Sequence, residues 1–101
     1  MVATLPVLSL DPPESIRFDG EEKSVRVGGT VYRAIRHMMT RLTTPPENLK
    51  SAVWGHHAAE RPEESLRSLL WRVNGLLRAH RSGRMLSLDG GRVVWVEDTQ
   101  A

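Results

Sequence analysis

The stretch Pro62-Glu63-Glu64-Ser65-Leu66-Arg67-Ser68-Leu69-Leu70-Trp71-Arg72-Val73-Asn74-Gly75-Leu76-Leu77-Arg78-Ala79-His80 decides how this chain is read. At about 3.6 residues per turn, Leu66, Leu69, Leu70, Val73, Leu76 and Leu77 gather on one broad face of a helix over 62–80. Pro62 suits a first turn, and Glu63 with Glu64 suits the positive end of the helix dipole. Directly afterwards, Arg84-Met85-Leu86-Ser87-Leu88 and Arg92-Val93-Val94-Trp95-Val96 flank Asp89-Gly90-Gly91, the pattern of a β-hairpin.

Upstream, three β-prone runs come first. Leu5 to Leu10 is apolar and stops at Asp11-Pro12-Pro13; Ser15-Ile16-Arg17-Phe18 alternates and meets Asp19-Gly20; Ser24-Val25-Arg26-Val27 alternates and stops at Gly28-Gly29. They predict a small antiparallel sheet over 5–27 with one buried face. Thr30 reads as the N-cap of a first helix whose apolar stripe is Val31, Ile35, Met38, Met39 and Leu42. Thr44-Pro45-Pro46-Glu47 matches a capping box opening a second helix, which buries Leu49, Ala52 and Val53 and stops at Gly55. Residues 56–61 read as a connector, and Trp54 and Trp95 read as core. A lone hairpin is marginal in water, so its apolar side must pack on the helices. The expected fold is α+β: one domain over 1–101 with an N-terminal sheet, three helices over 30–80 and a C-terminal hairpin over 84–97. A groove-sized helix followed at once by such a hairpin is the plan of a winged helix-turn-helix.

At 101 residues the chain can bury one core. It has no cysteine, which excludes disulfides and thiolate metal sites. No apolar run reaches the roughly 20 residues needed to span a bilayer, and Met1-Val2-Ala3-Thr4-Leu5-Pro6 lacks the features of a secretory signal. The expected location is cytoplasmic, with no membrane partner. Charge is unevenly spread. Residues 61–92 carry seven arginines against Glu63, Glu64 and Asp89, whereas residues 1–30 carry three basic and five acidic side chains. The cationic surplus therefore falls on the long helix and hairpin, where a phosphate-binding surface needs it.

The order of elements resembles the effector domain of the OmpR/PhoB-type response regulators, from about Leu8 to Val96. Leu10-Asp11-Pro12 followed by Phe18-Asp19-Gly20 is similar to that family's opening strands. Tyr32, Ala34, Ile35 and Met38 match its first helix, Val53-Trp54-Gly55 the end of its second, and Leu70, Val73 and Leu77 the ladder of its recognition helix. The chain departs from the family at Gly28 and Val31, at Asn74 where an arginine is common, and at Arg92-Val93-Val94-Trp95 where the wing has another closing motif. The resemblance covers no receiver domain within these 101 residues. The resemblance implies a winged-helix fold and transcription regulation through DNA.

Two surfaces follow for double-stranded DNA. On the long helix, the wheel places Arg67, Asn74 and Arg78 opposite the apolar face, whereas the resemblance points to the Ser68 and Arg72 flank as groove-facing; both registers stay open. Arginine and asparagine read guanine and adenine edges bidentately. Trp71 lies among these residues, fit for a sugar or thymine methyl, for a protein partner, or for cover by a neighbouring loop. On the hairpin, Arg92 beside the 89–92 turn suits the minor groove or backbone, with Arg81 and Arg84 at its base. Arg33, Arg36, Arg41 and Lys50 are weaker backbone candidates. A homodimer on DNA fits a module this small, and an interaction module without DNA binding is the rival reading. His56, His57 and Glu60 lack the helical spacing of zinc ligands, and no nucleophile motif or phosphate loop is visible. The expectation is therefore no metal, no cofactor and no catalysis.

Overall fold

Ser15-Ile16-Arg17-Phe18 alternates so that Ile16 and Phe18 point inward and become fully buried, and this strand centres the first of two sheets. The computed structural model describes residues 6–98; Leu5, expected in the first strand, lies outside them. Strand β1 (Leu8–Asp11) pairs antiparallel with β2 (Ser15–Phe18), which pairs with the two-residue β3 (Val25–Arg26). The chain then enters α1 (Gly29–Met38). A second sheet is built from β4 (Thr43–Thr44), β5 (Arg84–Asp89) and β6 (Arg92–Glu97) in the order β4-β6-β5. Between β4 and β5 come α2 (Pro46–Trp54), a 3-10 turn (Gly55–Glu60) and α3 (Glu63–Ala79). The architecture is α+β with a winged-helix layout, as expected.

One apolar cluster draws on both sheets and all three helices. α3 supplies Leu66, Leu69, Leu70, Val73 and Leu77, all buried, with Leu76 half-buried at the edge. Trp95 of β6 is buried, and its indole N–H donates to the Met38 carbonyl at 2.9 Å, so the large ring enters the core with its one donor satisfied. Trp54 lies at the margin of the cluster, with the Arg61 guanidinium 5.3 Å from its ring centroid.

Several local expectations are corrected or refined. Gly28, not Thr30, caps α1: its φ of 85° turns the chain early, and its carbonyl accepts from Tyr32 N–H at 2.9 Å. α1 ends at Met38, so Leu42 leaves the apolar stripe and is 48% exposed. The cause lies in the second sheet, where the Leu42 carbonyl accepts from Trp95 N–H at 3.2 Å. Thr44 forms no capping box. It belongs to β4 opposite Val93, its hydroxyl shares a 3.0 Å hydrogen bond with His37 Nε2, and Pro45 is the N-cap of α2. The hairpin is thus one part of a three-stranded sheet, and the connector between α2 and α3 takes the form of a 3-10 turn over 55–60.

The hairpin turn itself follows its residues. Asp89 pairs with Arg92, leaving a two-residue loop of Gly90 and Gly91 at φ 60° and 77°. Two positive φ values in succession define the tight turn that matches strand twist, and glycine adopts them without a Cβ clash. Among the described residues no helix is long and apolar enough to cross a membrane.

Candidate nucleic-acid interface

α3 is about 25 Å long at 1.5 Å per residue, and its polar side is not uniform. Toward the C-terminal end that side is used up by the protein itself. Asn74 Nδ2 donates to the Leu86 carbonyl at 2.8 Å, and the Leu86 N–H donates to Asn74 Oδ1 at 2.7 Å. The reason is strand geometry. Alternate residues of an antiparallel pair turn their backbone groups away from the partner strand, and the backbone N–H and carbonyl of Leu86, opposite Trp95, point away from β6 at the sheet edge while its side chain stays in the core. The Asn74 amide meets both groups as a neighbouring strand would. One turn later, Arg78 donates through Nε and Nη2 to the Asp98 carboxylate at 3.1 and 3.3 Å. The Asp98 side chain is almost wholly buried, so this fork fixes the end of β6 to α3. Asn74, half-buried, and Arg78, whose side chain stays 45% exposed, are therefore both engaged by the protein's own β5 and Asp98, whereas Arg67 on the same side of the helix is not.

The N-terminal half of the same side is open. Arg67, Ser68, Trp71 and Arg72 are exposed and together line a shallow hollow of about 440 Å³. Arg67 meets only Glu63 one turn earlier, at 3.6 Å and in full solvent, a pairing of little energy. Trp71 is 78% exposed, the largest apolar side chain presented to solvent among the described residues; no loop covers it. Ser68 and Arg72 also line a second, adjoining groove of about 450 Å³ that runs past Ser65, Arg61 and Thr30, the last in the first turn of α1. Sequence reasoning did not reach Arg61, Ser65 or Thr30. Their adjacency comes from packing three separate elements, and only the cluster of arginines after residue 60 hints at it.

The remaining candidates lie apart. Arg92 is exposed at the hairpin turn, with Nε donating to Thr43 Oγ1 at 2.9 Å. Arg84 Nη1 donates to the Gly83 carbonyl at 3.1 Å. Arg81, at the far end of α3, adopts φ 54°. It occupies the left-handed position of a helix stop in which Ser82 N–H donates to Leu77 and Arg81 N–H to Arg78, each at 3.0 Å. Arg81 also shares a small hollow with Asp19 and His80, so it faces an acidic neighbour and is not grouped with Arg67 and Arg72. His80 stacks on Phe18 with ring centroids 4.3 Å apart and donates to Glu21 at 2.8 Å, fastening the first sheet to the end of α3. Arg33 donates to the Val53 carbonyl, Arg41 to the His37 carbonyl, and Arg36 lies 5.7 Å from the Tyr32 ring; all three have internal roles. Lys50, on α2, is half-buried.

His57 pairs with Glu60 at 3.3 Å in the exposed 3-10 turn, and among the described residues no three His, Asp or Glu side chains gather as a metal site would need. No family model matches this chain, and neither do any curated proteins or solved structures.

Proposed function

We propose that this protein binds double-stranded DNA as a sequence-specific regulator of transcription in the cytoplasm, on the plan of the OmpR/PhoB-type effector domains. The N-terminal half of α3 enters the major groove, with Arg67, Ser68 and Arg72 toward base edges and Trp71 toward a thymine methyl or sugar. The 89–92 turn reaches the flanking backbone or minor groove through Arg92. One observation carries this reading. The N-terminal half of α3 presents Arg67, Ser68, Trp71 and Arg72 to solvent around an open hollow, beyond a first turn that carries Glu63 and Glu64, while its polar groups toward the other end are internally bonded. A single module of this size makes few phosphate contacts, so two copies on neighbouring half-sites are part of the proposal. It includes no cofactor and no catalytic step.

Trp71 favours a second reading, a winged-helix interaction module, because an exposed tryptophan is a common anchor of protein interfaces. Fluorescence anisotropy with labelled duplexes over a range of salt separates the two. DNA binding predicts saturable binding that weakens steeply with salt, and about a tenfold loss for Arg72→Ala, with Arg78→Ala acting only through stability. An interaction module predicts no saturable duplex binding, with Trp71→Ala abolishing self-association in sedimentation runs.

A further inference from the structure

The groove beside the open face of α3 has a composition of its own. Arg61 and Arg72 stand along it, Ser65 and Ser68 present hydroxyls from successive turns of α3, and Thr30 faces them from α1. Neither arginine pairs with a carboxylate among the described residues, although Glu64 lies on the rim. Arg61 rests over the Trp54 ring, which holds a long, flexible side chain in place without neutralising it. Two permanent, forked cations with several hydroxyl donors are the chemistry that receives a phosphodiester oxygen. The space of about 450 Å³ opens to solvent, so a backbone phosphate can reach it from outside. Ser68 and Arg72 belong both to this groove and to the Trp71 hollow, which places the groove next to where base edges would be read.

We infer that this groove, between the first turn of α1 and the start of α3, is a seat for a phosphodiester of the DNA backbone, held by Arg61 with the hydroxyls of Ser65 and Thr30 at the point where it adjoins Ser68 and Arg72, which reach on toward base edges. The inference rests on the DNA-binding reading and deepens it. It adds Arg61, Ser65 and Thr30 as contacts that fix the register of α3 on the duplex and contribute nothing to sequence choice. Glu64 weakens the seat by like charge, so removing its charge tightens binding.

The test uses the full chain and a random-sequence duplex of about 20 base pairs, with anisotropy titrations at several salt concentrations. Each phosphate contact contributes about 0.9 to the slope of log affinity against log salt. Arg61→Gln is expected to lower that slope by about 0.9 and to weaken binding severalfold on every duplex tried. Arg61→Lys keeps the slope, Ser65→Ala weakens binding severalfold with the slope unchanged, and Glu64→Gln strengthens it. Lys23→Gln, on the β2–β3 connection, leaves both quantities as they are. Circular dichroism establishes that each variant is folded. If Arg61→Gln and Ser65→Ala both bind with the affinity and slope of the unaltered protein, the seat is overturned and the α3 reading stands. If the unaltered protein saturates no duplex, both fall together.

Discussion

Asn74 shows how a residue chosen for its chemistry can be engaged by the protein's own backbone. An asparagine on the polar side of a helix is a fair candidate for reading adenine, and the helical wheel places it with Arg67 and Arg78. The wheel gives a direction and says nothing of what packs there; β5 brings Leu86 to that point from 12 residues away along the chain. Asn74→Ala removes one donor and one acceptor from a half-buried strand edge, and we expect it to cost about 2–4 kcal/mol, read as a lower urea midpoint. Its neighbour behaves oppositely. Gly75 sits inside α3 with open space where a Cβ would be. Gly75→Ala should raise stability by about 0.5–1 kcal/mol, seen as a higher midpoint with an unchanged urea dependence. Arg81 was legible as a cation but not as a helix stop, because arginine stands in a left-handed position that glycine usually fills.

Among elements, those with a long period were legible and those set by pairing were not. Six apolar positions over 66–77 fix α3, and Gly90-Gly91 between two alternating runs fixes the hairpin. β4 has only Thr43 and Thr44, too short for any pattern, and exists because β6 offers it a partner. Its formation also explains why the capping box at Thr44 failed: the backbone and hydroxyl were committed elsewhere. The open half of α3 was legible from Arg67, Ser68 and Arg72 off the apolar stripe, while its boundary at Asn74 depended on the β5 edge. The hairpin turn makes its own prediction. Gly91→Val places a branched side chain at φ 77° and should destabilise the hairpin by about 1–2 kcal/mol. Faster amide exchange at Val94 and Val96 is the measurement, with exchange in α1 little altered.

At the scale of the whole molecule, charge is unevenly spread: residues 1–30, with most of their acids in the connections of the first sheet, carry the acidic surplus, and residues 61–92 the basic one. One histidine couples this body to pH. Burial, and secondly the Arg41 guanidinium, hold His37 below its ordinary value of 6.5, while its ring bridges α1 and β4 through Thr44. The unfolded chain takes up a proton as pH falls through 6.5 and the folded chain resists it. Stability is therefore present in full above 6.5 and declines as pH falls from there toward the lowered folded value. Urea midpoints at about pH 7.5 and 5.5 should show that decline, and His37→Gln should lessen it. The Asn74 amide has a last consequence beyond one molecule. A bare outer strand is a template on which another copy can lay its own backbone. On the wing sheet, β4 is two residues long, and the opposite margin is stoppered at its middle by a side chain. Neither margin of that sheet therefore offers a bare strand for its whole length, so copies can meet without their ribbons zipping into fibrils.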